Sequence, residues 1–134
     1  MWSGESDGVL VLTHPYRFFA NGRDATVEAI QETVRAADED VYGVKPGRGH
    51  RKLDEPIGGT ECYDRIVEDR NGYGRLSRAD ASDVAAYPSA RIGGFDRNQC
   101  VGRTMESITY VGGDVAVDPS ITARSTAVAH FFSD

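Results

Sequence analysis

The sequence predicts an α/β fold, a three-layer Rossmann-like arrangement in which a mostly parallel sheet carries helices on both faces. Three observations lead there. Gly8-Val9-Leu10-Val11-Leu12-Thr13 is an unbroken apolar run of the kind found in strands buried on both faces. Strand-like and helix-like periodicities alternate along the chain, as βαβ units require. No repeat, linker or low-complexity tract interrupts the 134 residues, so one domain over residues 1–134 is expected.

In chain order, His14-Pro15 ends the first strand, because proline cannot donate to a sheet ladder. A loop over Tyr16 to Gly22 offers Phe18 and Phe19 as cover. Asp24 reads as the N-cap of a helix running to about Ala37, with Val27, Ile30 and Val34 on its inner face. Val41-Tyr42-Gly43-Val44 is the second strand and completes a βαβ unit. Lys45 to about Ile57 is polar and reads as a long surface loop. From Thr60 to Asp69 the pattern fits either a short helix or a strand at Ile66-Val67-Glu68, and Asn71-Gly72 is a turn. Residues 77 to 87 read as a helix capped by Ser77, with Ala79, Val84 and Ala85 turned inward, and Pro88 stops it. Ala90 to Phe95 is a strand. A helix with Val101, Met105 and Ile108 inward follows and ends at Gly112-Gly113. Asp114 to Val117 is a further strand, and Ser120 to Phe132 is helical over its later half.

A net charge of -6 and the lack of a basic stripe argue against a nucleic-acid partner. No stretch approaches the ~20 apolar residues of a membrane span, so no membrane partner is expected. The amino-terminal residues have neither the basic region nor the apolar core of a signal peptide, which predicts a cytoplasmic protein. Cys62 and Cys100 form no disulfide framework, in keeping with a reducing compartment. No cofactor or metal ion is expected: His50 stands alone in its loop and reads as a solvated side chain.

The chemistry concentrates at Gly93-Gly94-Phe95-Asp96-Arg97-Asn98-Gln99-Cys100-Val101, a strand, a turn and the start of a helix. The first turn of a helix presents unpaired N–H groups that favour a thiolate, which makes Cys100 a candidate nucleophile. A small buried hydrophobe is the other fate of a free cysteine. In open α/β sheets ligands gather beyond the carboxyl ends of the strands. Thr13, the loop after Val44 and the turn before Cys100 all lie at that edge.

Gly94, Asn98, Cys100 and Val101 carry a resemblance to the isochorismatase-like cysteine hydrolases, the group that includes nicotinamidases. In that family a central strand ends in glycine, and the nucleophilic cysteine follows six residues later, preceded two positions back by Asn or Asp and followed by valine. Gly112 to Asp118 resembles the family's downstream glycine, strand and aspartate, and Val9 to Leu12 with Phe18 its first strand and aromatic. Family members are usually longer, leaving no room here for their last strand and helix.

The resemblance implies an aspartate, a lysine and a cysteine that together attack an amide carbonyl and form an acyl-enzyme. The aspartate position falls on Thr13, which accepts no proton at neutral pH. The lysine position falls on Arg70, three residues before Tyr73, and arginine is permanently charged. His14 is the available substitute base, provided that Pro15 turns its side chain from the far face of the strand. Asp96 is close to Cys100 in sequence, although a turn aspartate commonly bonds its own backbone. Phe18, Tyr73, Asn98 and Asp96 are assigned to substrate binding. Two functions follow: a protein of this fold with a degenerate triad, serving as a non-catalytic binding or structural subunit, or a cysteine hydrolase cleaving a small amide. Since family members commonly oligomerise, other protein chains are the expected partners.

Overall fold

The computed structural model of the chain describes residues 7–47 and 53–123, and of residues 97 and 98 only the backbone. Five strands form one sheet in the order β3-β2-β1-β4-β5, with every neighbouring pair parallel. They are β1 (Gly8–Thr13), β2 (Asp40–Lys45), β3 (Arg65–Glu68), β4 (Ser89–Phe95) and β5 (Ala116–Ala123). The helices are α1 (Asp24–Ala36), α2 (Arg78–Ala85) and α3 (Gly102–Tyr110).

Strand β1 is central because its side chains are apolar on both faces. Leu10 and Leu12 meet α1 through Val27, Ile30 and Val34. Val9 and Val11 point the other way, into a second core with Ala81 and Val84 of α2 and with Val101 and Ile108 beside α3. Each large aliphatic side chain so buried contributes about 1.5–3 kcal/mol of transfer free energy, and this drives the three-layer packing.

Several local expectations are corrected. Asp24 is the first residue of α1 rather than its cap, where its charge complements the helix dipole. In α2 the inward residue is Ala81, not Ala79, which is exposed, because Ala81 lies one turn from Val84. The Ser77 cap is present and accepts the Asp80 N–H at 3.1 Å. Among the described residues between β2 and β3 no α-helix forms, and of the two alternatives for Thr60 to Asp69 the strand is the one observed, as β3. Thr60–Cys62 make a single 3-10 turn, and Ile57, read as surface, is buried under α1 with Tyr63. Tyr63 hydroxyl donates to the Ile57 carbonyl at 2.8 Å, so this loop fills the space a crossover helix would occupy.

Strand β5 is longer than expected. Its first half pairs Val117 with Ile92, the register then shifts, and Thr122 pairs with Gly94. Asp118 accepts the Ser120 N–H and hydroxyl, but Ile121 and Ala123 are buried and return the chain to the ladder. The helix expected over the later half of residues 120–132 lies outside the described residues, as does His50. Among the described residues no helix is long and apolar enough to cross a membrane.

Gly94 determines how closely the two central strands approach at their carboxyl ends. Its φ is +120°, and a Cβ there would overlap the Thr13 carbonyl oxygen. Gly94→Ala is expected to lower unfolding free energy by about 3 kcal/mol through strain and overlap. Gly112→Ala, also at positive φ but facing open space, is expected to cost only about 1 kcal/mol. Urea denaturation of the two variants checks the contrast, and equal losses would remove the packing role of Gly94.

Candidate active site

The strand order reverses between β1 and β4, so the crevice opens where these two strands end. From β1 come Thr13 and His14. From β4 come Asp96 and a turn of π geometry over Arg97–Val101 that carries Cys100 and leads directly into α3. The Phe95–Asp96 peptide is cis. The Gln99 and Val101 N–H groups both donate to the Asp96 carbonyl, at 3.1 and 3.0 Å, which closes the turn.

Thr13 is fully buried, and its hydroxyl donates to Thr104 Oγ1 at 2.9 Å. Thr104 in turn donates to the Gly74 carbonyl at 2.7 Å and lies 3.1 Å from the Cys100 carbonyl. The loop after β3 is thereby pressed onto the cysteine turn. Only a glycine fits at position 74, where φ is +96° and a Cβ would overlap the Cys100 carbonyl oxygen.

His14 is buried in a left-handed backbone conformation, φ 52°. This turns its ring toward Asp69, whose Oδ2 lies 2.7 Å from Nε2, while Phe19 stacks on it with ring centroids 5.0 Å apart. Asp69 also accepts N–H groups from Gly47 (3.0 Å), Gly72 (2.6 Å) and Gly74 (2.8 Å). Burial pushes the Asp69 carboxyl up, but the bonds from His14 and from the three glycines outweigh it and hold the group below the usual carboxylate range. A carboxylate so held is a weak base.

Cys100 is half-buried. Burial is the largest influence on its thiol and raises the pKa. The N–H groups of Asp96 and Cys100 pull it down, as a helix start should. The carboxylates of Asp96 and Asp69 push it up again, and the net direction is upward. The thiolate-favouring field expected of a helix start is therefore overcome. Asp96 does not fold back on its own turn: its Oδ1 accepts from Arg23 Nη1 at 2.5 Å. Arg23 is itself tied to the Ala20 and Phe19 carbonyls at 2.7 Å and lies over the Phe95 ring, 5.1 Å from its centroid.

Thr13 is linked through Thr104 to the Cys100 carbonyl, Asp96 and Asp69 act on the Cys100 thiol, and His14 is bonded to Asp69. Arg70 and Tyr73 do not join them: both are exposed and line a separate cleft between the loop after β3 and helices α2 and α3. Phe18 is exposed and meets Phe19 edge-on, at the rim. The side chain of Asn98 is outside the described residues. Asp69, Arg23 and Thr104 were not singled out from the sequence. For Asp69 a signal existed, since an aspartate followed by Asn71-Gly72 and Gly74 is the pattern of a carboxylate ringed by turn N–H groups. Nothing local marks Arg23. Among the described residues no cluster of three metal-ligating side chains occurs.

The architecture defines the class, a parallel three-layer α/β protein with a cysteine at its switch point. No protein-family model matches the sequence, and no curated protein does. Solved structures match over nearly the whole chain. The MAR1 ribonuclease from Caenorhabditis elegans has a TM-score of 0.66 at 14% identity, covering 94% of this chain and 70% of that one. An isochorismatase-like hydrolase from Alkaliphilus metalliredigens gives 0.64 at 17%, covering 93% and 86%. N-carbamoylsarcosine amidase from Thermoplasma acidophilum gives 0.61 at 18%, covering 89% and 85%. More narrowly, then, the fold is that of the isochorismatase-like hydrolases.

Asp69→Asn places an amide NH2 group among four donors. It is expected to cost about 3 kcal/mol, the cost of breaking a buried charged pair. Because the folded carboxyl is depressed, its contribution is full above the unfolded value of about 3.9 and is lost as pH falls through the lower folded value. Denaturant titrations between pH 7 and pH 2 should show a shallower acid limb in the variant. An identical acid limb would remove Asp69 from this role.

Proposed function

We propose that this chain is a non-catalytic member of the isochorismatase-like fold that acts by binding, as a subunit among other protein chains in the cytoplasm. One observation carries the reading: the polar side chains at the carboxyl ends of β1 and β4 are each bonded to another residue. Thr13 is committed to Thr104, His14 to Asp69 and Asp96 to Arg23. Thr13 is a hydroxyl and Asp96 is paired. Although Asp69 leaves the Nδ1 of His14 free, among the described residues no hydrogen bond joins His14 to the sulfur, while burial and two nearby carboxylates raise the pKa of the thiol. Arg70, in the position where the family resemblance expects a lysine, faces the other cleft and cannot cycle a proton in any case.

The competing reading is a cysteine hydrolase that cleaves a C–N bond through an acyl group on Cys100; one structural neighbour is named an amidase. Its support is the half-exposed sulfur with backbone N–H groups beside it. Iodoacetamide labelling across a pH series, read by mass spectrometry at the Cys100 peptide so that Cys62 does not interfere, separates the two. The expected midpoint lies above the ~8.5 of an ordinary thiol. A midpoint near 7, or an acyl adduct trapped on Cys100 from a panel of small amides, would overturn the binding reading.

A further inference from the structure

The cleft away from Cys100 has a composition at odds with the chain. Its volume is about 730 Å3, within the ~300–1,000 Å3 of small-molecule sites, and its walls carry Arg70, Arg75, Arg78 and Arg103 together with Tyr73 and Tyr110. Arg23, Arg65 and Arg91 elsewhere are each paired with carboxylates at 2.5–2.8 Å. By contrast, among the described residues Arg70, Arg75 and Arg78 have no carboxylate partner. Arg103 meets Glu106 at 3.4 Å, an exposed pair of the weak kind. Gathering four guanidinium groups around one concavity, with a single carboxylate among them, raises their mutual repulsion in a protein whose net charge is -6. A bound anion removes that cost.

The frame is built before any ligand arrives. Asp69 pins the base of the loop through the Gly72 and Gly74 N–H groups. The Arg70 N–H donates to the Arg75 carbonyl at 2.8 Å, and Asn71 Oδ1 accepts the Tyr73 N–H at 2.9 Å. The loop is therefore closed, and little ordering entropy remains to oppose binding. Tyr73 and Tyr110 are 64% and 83% exposed, unusual for large rings outside an interface or ligand site, and each offers a face for stacking.

We propose that this cleft binds a nucleoside polyphosphate, with its phosphates on Arg70, Arg75, Arg78 and Arg103 and its base stacked on Tyr73 or Tyr110. Guanidinium forks match phosphate oxygens in pairs, and a purine or pyrimidine ring has the flat face a tyrosine takes. A compact polyanion fits better than a nucleic-acid strand, because the four arginines surround one concavity and the chain as a whole is acidic. The inference rests on the binding reading above and supplies its ligand.

Isothermal titration of the full chain with ATP, with inorganic tripolyphosphate and with a single-stranded decanucleotide tests it. ATP should bind saturably, and at least thirtyfold more weakly to Arg75→Ala/Arg78→Ala, whose exposed side chains leave the thermal midpoint unchanged. Tyr73→Ala/Tyr110→Ala should weaken ATP about tenfold and leave tripolyphosphate unaffected. Cys100→Ser should bind ATP as the parent does, which keeps this outcome separate from the trapping of an acyl adduct. No saturable ATP binding, equal affinity for tripolyphosphate and ATP, or tighter binding of the oligonucleotide would each overturn the proposal.

Discussion

The carboxylate of Asp69 holds the working edge of this protein together. Taking an ionised carboxylate out of water costs several kcal/mol unless its oxygens are satisfied, and here four donors satisfy them. They come from the ends of three neighbouring strands: His14 after β1, Gly47 after β2, and Gly72 and Gly74 in the loop after β3. From Gly74 the connection runs on to Thr104 of α3 and back to Thr13 of β1. One buried charge therefore fixes the relative positions of segments that the sheet ladder alone leaves free beyond the last backbone pair.

The same arrangement sets the chemistry of the sulfur. A helix start beside a cysteine lowers the cost of a negative charge, but burial acts against it, and two carboxylates close to Cys100 act in the same direction as burial. Arg23 sits on Asp96 and offsets part of that field, and its guanidinium is held by backbone carbonyls rather than left to approach the thiol. His14 is held to Asp69 through Nε2, and among the described residues no hydrogen bond joins its other ring nitrogen to the sulfur.

Much of the architecture was legible because it is local. The unbroken apolar run from Val9 to Leu12 reads as a strand buried on both faces and the spacing of Val27, Ile30 and Val34 as one face of a helix, and both are found so. The placement of Cys100 after a glycine-ended strand was legible for the same reason. What was not legible depends on partners far apart in the chain. His14 and Asp69 are 55 residues apart, Arg23 and Asp96 are 73, and no local pattern announces either pair. Ile57 lies in a polar stretch, so its burial follows only from the space beneath α1. In β5 the local pattern carried the strand only to Val117, and its continuation past the register shift follows from the burial of Ile121 and Ala123.

The loop from Asp69 to Arg75 separates two environments. Its inner side is a carboxylate and glycines packed on the cysteine turn, and its outer side is Arg70, Tyr73 and Arg75 in the arginine-lined cleft. Glycine at 72 and 74 lets the backbone curl around the carboxylate, and the residues between are turned outward as a consequence. Displacing the loop from outside would pull the Gly72 and Gly74 N–H groups off Asp69 and leave a charge in a dry site, so the wall is stiff. The position where the resemblance expects a lysine lies on this wall, and at Arg70 it faces outward. A permanently charged side chain there adds to the anion-attracting field of the cleft and contributes no proton transfer at the crevice.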